Sequence, residues 1–166
     1  MTEIIDIINK HDEVVGQTTR EESERLGYLR RFVHVFVRDE QGRILFQQRH
    51  HTKKSCPLQL DASAGGHVMA NESYHDAAKR ELEEELGLTG DVHEIGPITG
   101  HQKIGRLFIF EYNNTMTLRV MENEIECIDW LTVEEIKYLV SRHPYFIAGG
   151  TLSSWEVYCK QCLYKE

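Results

Sequence analysis

The chain has 166 residues, enough for one domain with a substantial core, and its 40% hydrophobic and 28% charged content is ordinary for a globular protein. A formal charge of −8 argues against nonspecific binding to nucleic acid or to an anionic membrane, and no apolar run approaches the length of a membrane span. The opening MTEIIDIINKHDEVV has no basic flank and its apolar run is interrupted by acids, so it does not read as a signal peptide, and four cysteines (Cys56, Cys127, Cys159, Cys162) are too few for a disulfide framework, which makes a reducing cytoplasm the expected compartment.

Ile4 to Ile8 and Val14 to Thr18 read as a hairpin around Asn9-Lys10-His11-Asp12. Thr19-Arg20-Glu21-Glu22 has a capping-box pattern and Gly27 is a natural stop, so a short helix fits between them. Arg31 to Arg38 and Arg43 to Arg49 are β-rich runs joined by the tight turn Asp39-Glu40-Gln41-Gly42. The loop from His50 to Leu60 carries Lys53, Lys54 and Pro57, and Asp61 to Gly66 is small and extended. The next helix begins at Ser73, where Asp76 stands three residues on as a capping partner, and ends at Leu86 with Gly87 just past it. Strand-like segments follow at Val92 to Thr99, Arg106 to Tyr112 and Glu126 to Leu131. Thr132-Val133-Glu134-Glu135 is a second capping box, opening a helix to about Arg142. Pro144 and Gly149-Gly150 break the chain before a last helix, from about Leu152 to Leu163. Strands mixed with a few helices, without regular alternation, predict an α+β or α/β fold with a mixed sheet.

The chemistry concentrates in GHVMANESYHDAAKRELEEELGL, from Gly66 to Leu88. At about 100° per residue, Glu84 lies about 60° to one side of Glu81 on a helix and Glu85 about 40° to the other, while Glu83 points away. Three carboxylates aimed at one spot suit a hard divalent cation, which takes oxygen ligands and keeps room for water and substrate phosphates. Arg80 reaches Glu84 at i+4 and is placed to orient carboxylates by charge-assisted hydrogen bonds. The bland alternative is a solvated acidic face with i,i+4 ion pairs.

This segment resembles the signature of the Nudix hydrolases: Gly, five residues, Glu, seven residues, Arg-Glu, an aliphatic, any residue, Glu-Glu, any residue, Gly, an aliphatic. Gly66, Glu72, Arg80, Glu81, Leu82, Glu84, Glu85, Gly87 and Leu88 fill it without departure. Seven fixed letters at roughly 6% each match by chance on the order of 10⁻⁹ per window. The resemblance implies an α/β/α sandwich with the signature helix packed on a mixed sheet. It also implies hydrolysis of a diphosphate linkage in a nucleoside diphosphate joined to another group, with Mg²⁺ or Mn²⁺ held by Glu81, Glu84, Glu85 and the backbone carbonyl of Gly65. Gly66 and Glu72 are supporting positions. The general base is Glu81, Glu84 or a distal glutamate, for which Glu124 is chosen over Glu122 and Glu126 because similar enzymes carry a glutamate shortly before a tryptophan, here Trp130. Arg49, Lys53 and Lys54, with His50 and His51, form a basic cluster that either holds substrate phosphates or is a solvated loop. The expected partner is a small-molecule diphosphate; a homodimer is left open.

The wider chain is similar to the isopentenyl-diphosphate-isomerase-like branch of the superfamily, over roughly residues 4 to 160. Gly65 stands at the isomerase cysteine position, and glycine cannot move a proton on carbon, so the residues favour a hydrolase. His67 matches the isomerase metal histidine and is either a ligand or an ordinary loop histidine. Trp155 matches an active-site tryptophan and reads as core packing; Cys56 reads as structural or incidental, and Cys159-Lys160-Gln161-Cys162 as half-buried helical thiols. A noncatalytic nucleotide-binding module is the other reading.

Overall fold

The computed structural model of the chain describes residues 2–164. The hairpin of β1 (Ile4–Ile8) and β2 (Val14–Thr19) leads into α1 (Arg20–Leu26), whose first turn is capped by Thr19 Oγ1 accepting from Glu22 N at 3.1 Å. The central strand is β3 (Arg30–Arg38), which pairs along its whole length, parallel, with β8 (Lys103–Glu111), itself paired with β7 (His93–Gly100). On its other side β3 pairs antiparallel with β6 (Ala64–His67). Segment boundaries mostly fall within one or two residues of the expected ones; β8 starts at Lys103 rather than Arg106, and the last α-helix runs Gly149–Tyr158 rather than Leu152 to Leu163.

The expected β3–β4 hairpin forms only at its turn. Asp39 Oδ1 accepts from the backbone of Gln41 and Arg43, and Arg38 then pairs with Ile44. Beyond that pair β4 (Ile44–Arg49) leaves β3 and pairs with β9 (Ile125–Leu131) and with the short β5 (Leu60–Asp61). The sheet is therefore forked, with β6 on the β3 limb and β5 on the β4 limb.

Helices cover both faces, giving the α/β/α sandwich that the resemblance implied. Val33, Val35 and Val37 of β3 turn one way and pack with Ala77, Ala78, Leu82 and Leu86 of α2 (Tyr74–Leu86). Phe32 and Phe36 turn the other way and pack with Ile136 of α3 (Val133–Arg142) and with Trp155 and Tyr158 of α4 (Gly149–Tyr158). This is the period-two alternation of a strand buried on both faces. Trp155 is a core residue, stacked on Tyr158 with ring centroids 5.5 Å apart. Gly149 and Gly150 differ from expectation: they form the first turn of α4 rather than a break before it. A side chain at Gly150 would crowd His34, whose Cε1 would lie 3.1 Å from its Cβ, so glycine is what lets the helix start here. The chain then runs into a single π turn, Cys159–Leu163. No helix among the described residues is long and apolar enough to cross a membrane.

Two histidines are enclosed by this packing. His34 Nδ1 lies 2.8 Å from Ser154 Oγ, and burial pulls its pKa down. His67 is pulled down to about 2, by burial first and then by Lys103, Arg20 and Arg30. A histidine depressed in the folded state supplies stability that is present above its unfolded pKa near 6.5 and is lost as pH falls below it, because the unfolded chain takes up a proton that the folded chain refuses. We expect the urea midpoint to drop from pH 7.5 to pH 5, and His34→Gln to flatten that dependence; a midpoint unchanged over this range would contradict it.

Candidate active site

The fork holds the signature residues. Ser73 Oγ accepts from Asp76 N at 3.0 Å to start α2, and Gly87, at φ 65°, ends it by donating to the Glu83 carbonyl at 2.9 Å. Burial of Ala77, Ala78, Leu82 and Leu86 fixes the rotation of the helix. That rotation turns Glu81 and Glu85 inward and leaves Glu84 at the rim: the Glu81 side chain is 12% exposed, Glu84 52% exposed, and Glu85 as a whole residue 8%.

Glu85 bridges the limbs of the fork. Its Oε2 accepts from Gln47 Nε2 of β4 at 2.7 Å, and its Oε1 from the Gly65 amide of β6 at 3.4 Å. Burial, then the charge of Glu81, pushes the Glu85 carboxyl up to about 8. Burial also raises Glu81, against the pull of Arg80. Gly66 lies directly under Glu81, and any side chain there would collide with the carboxylate.

Arg80 ties these pieces together. Its guanidinium donates to Glu72 through Nε at 2.8 Å and Nη2 at 3.0 Å, to Glu81 Oε1 at 2.6 Å, and to the His67 carbonyl at 3.0 Å. Glu84 is held more loosely, at 3.4 Å. Glu72 Oε2 also accepts from the Met69 amide at 2.8 Å, so the loop before α2 is fixed from both ends. Glu72, which helical spacing could not place, is thus brought to the cluster by Arg80.

The distal residues divide. Met121 N donates to the Glu85 carbonyl at 3.0 Å and Arg119 N to the Leu86 carbonyl at 2.8 Å, which carries the 119–124 loop to the end of α2. Glu124 forms an ion pair there with Lys53. Burial and Arg49 pull the Lys53 pKa down, and the bonds from Met121 N to the Glu85 carbonyl and from Glu124 N to the Met121 carbonyl bring Glu124, with Lys53, toward the end of α2. Arg49 is engaged elsewhere, with Asp61 at 2.8 Å and the Ser55 carbonyl at 3.1 Å. Lys54 is exposed, and Glu122 likewise. His67 Nε2 accepts from Arg30 Nε at 3.0 Å, so that nitrogen's lone pair is already in use. Cys56 is exposed, and Cys159 and Cys162 are half-buried and outside any disulfide.

Gln47, the partner of Glu85, is a functional residue that motif reading misses; its only signal in the sequence is a polar residue directly after the apolar run Ile44-Leu45-Phe46 of β4. Motif reading also places His50 and His51 only in the basic cluster. They stand with Glu126, whose Oε2 lies 2.9 Å from His51 Nδ1 and 3.8 Å from His50 Nε2. Among the described residues this is the one group of three or more metal-ligand atoms within 4.8 Å of one another. The signature carboxylates each have a partner of their own, Glu81 in Arg80 and Glu85 in Gln47.

Residues 28–149 match the NUDIX domain. The chain belongs to the Nudix family. The uncharacterized Nudix hydrolase YfcD of Escherichia coli (strain K12) is 38% identical over 138 residues, covering 81% of this chain and 77% of that one. The uncharacterized Nudix hydrolase SCO1686 of Streptomyces coelicolor is 47% identical over 88 residues, covering 53% and 49%. The crystal structure of DR0079 from Deinococcus radiodurans is similar with a TM-score of 0.77 and 27% identity, over 98% of this chain and 100% of that one. The MutT protein of Methanosarcina mazei shares the fold, with a TM-score of 0.62 at 18% identity, over 80% and 94%. This chain is accordingly an enzyme, a Nudix pyrophosphohydrolase.

The donor set fits the divalent ion that Nudix hydrolases generally use. Glu81, Glu84, Glu85 and the Gly65 carbonyl offer only oxygen, and the buried Glu85 is bonded to Gln47 and the Gly65 amide but to no cation among the described residues, so its negative charge is left uncompensated. Glu85 is a carboxyl raised in the folded state, so it supplies stability below its unfolded pKa near 4.3 that is lost as pH rises toward about 8. In EDTA at pH 8, Glu85→Gln should therefore raise the melting temperature by several degrees and nearly abolish the gain at pH 5. A variant less stable than wild type at pH 8 would contradict a buried, uncompensated charge.

Proposed function

We propose that the chain is a Mg²⁺- or Mn²⁺-dependent hydrolase that cleaves the diphosphate linkage of a nucleoside diphosphate joined to another group. The reading is of one cytoplasmic domain acting on a small molecule. The observation that supports it most is that α2 turns the buried Glu85 and the largely shielded Glu81 toward β6, with Arg80 fixing Glu72, Glu81 and the His67 carbonyl in one network.

Glu81, Glu84, Glu85 and the Gly65 carbonyl would hold the ion. When bound, it would align the two phosphoryl groups, offset the charge that grows between them, and lower the pKa of a coordinated water. Arg80 and Glu72 keep the carboxylates oriented. Lys53 is placed to meet a phosphoryl oxygen at the rim. Water attacks phosphorus, its proton passes to the base, and the phosphoanhydride bond breaks with its electron pair leaving on the departing phosphoryl oxygen. The base is Glu81, Glu84 or Glu124; the pairing of Glu124 with Lys53 gives the distal candidate a position beside the signature. Isomerase chemistry is not favoured, because Gly65 supplies no proton-transfer group and Arg30 occupies His67 Nε2.

The test is a screen of nucleoside diphosphate conjugates with and without Mg²⁺, followed by Glu85→Gln. Release of nucleotide or phosphate only with metal is expected, with turnover down about a hundredfold or more in the variant. Near-normal turnover of Glu85→Gln across a metal titration would overturn the assignment, and tight binding without release would mark a binding module instead.

A further inference from the structure

On the face of the sheet opposite α2, next to the carboxylate site, lies a group of cations that the hydrolase reading does not use. Arg30 and Lys103 are register partners on β3 and β8, so their side chains project to the same side. Like charges set directly opposite each other on paired strands are destabilising. The Arg30 side chain is only 7% exposed, and the nearest carboxylate oxygen, on Glu24, is 3.6 Å away. Its Nε is spent on a neutral acceptor, His67 Nε2. Lys103 is half-buried and has no ion-pair partner among the described residues; its Nζ lies 5.7 Å from the centre of the Phe32 ring. The carboxylates it senses, Glu24 and Asp61, are already bound, Glu24 by Arg20 at 3.3 Å and Asp61 by Arg49 at 2.8 Å. Burial and the neighbouring arginines Arg30 and Arg20 lower the Lys103 pKa, the signature of a cation short of an anion.

Two further features mark this place. Arg20, Ser23 and Glu24 share one face of α1 by helical spacing, and Ser23 is fully buried with a hydroxyl that has no partner among the described residues. Arg30 reaches the carboxylate cluster through His67, whose Nε2 accepts from Arg30 at 3.0 Å and whose carbonyl accepts from Arg80 at 3.0 Å, so the cations adjoin the carboxylates around the β6 edge.

We propose that Lys103 and Arg30, with Arg20 beside them, bind an acidic group that the substrate carries in addition to the two phosphoryls between which it is cut. Preferred substrates then bear a carboxylate or a further phosphoryl. The proposal rests on the hydrolase reading for calling the ligand a substrate, not for the anion site itself.

The test uses matched pairs that differ by one acidic group: UDP-glucuronate against UDP-glucose for a carboxylate, and UTP against UDP for a phosphoryl. Calorimetric titration of the full chain in EDTA gives affinities without turnover. The acidic member of at least one pair should bind about tenfold or more tightly, and which pair shows the gap identifies the group. Lys103→Gln should shrink that gap to under about threefold, while Lys103→Arg retains it. Should Lys103→Gln fail to fold, Arg20→Gln, at an exposed side chain, carries the same comparison and should also narrow the gap. Equal affinities within both pairs, a gap that survives Lys103→Gln, or equal weakening of both members of a pair would each overturn the proposal, the last by placing Lys103 on the shared diphosphate. Hydrolysis of the same compounds with Mg²⁺ separates the two readings: a gap without turnover sinks the hydrolase, and turnover without a gap sinks the anion site.

Discussion

The architecture turns on carboxylates placed where carboxylates are unfavourable. Glu81 and Glu85 sit against the sheet, one held by a single arginine and the other by a glutamine and a backbone amide. Burying a charge with so little compensation opposes folding, and the apolar contacts of α2 are what hold the helix down regardless. Leu82 and Leu86 are completely buried on the same helix that carries the acids. The acids and the leucines lie on adjacent stripes, so the packing that stabilises the fold is also what keeps the acidic groups from relaxing into water.

The fork in the sheet gives this arrangement its room. A continuous β3–β4 hairpin would place backbone where Glu85 now reaches both limbs. Separation after one residue pair leaves space for β6, where Gly66 presents no side chain to Glu81 of the helix and Gly65 none to His34 on the other face. Arg80 then closes the assembly from the solvent side by gathering Glu72, Glu81 and the His67 carbonyl.

Much of this was legible in the residues because the determinants are local. Capping residues at Thr19, Ser73 and Thr132 mark three helix starts, and each side chain caps as its spacing implies. The inward turn of Glu81 and Glu85 follows from helical spacing once Leu82 and Leu86 are assigned to the core. What could not be read depends on contacts between distant segments. The divergence of β4 from β3 is decided by pairing with β9, some eighty residues away. Gln47 and Glu85, and Arg30 and Lys103, meet only through tertiary structure. Gly149 and Gly150 read as breakers because glycine usually is one; here the close approach of His34 makes glycine the residue that admits a helix.

The loop that follows β8 also completes the signature helix. Its Arg119 and Met121 amides bond the last carbonyls of α2, groups that would otherwise lack partners at a helix end. A descendant that remodels this stretch must therefore provide two substitute donors, or the turn bearing Glu85 is left with unpaired carbonyls. Drift in the loop is in this way restrained by the helix it terminates.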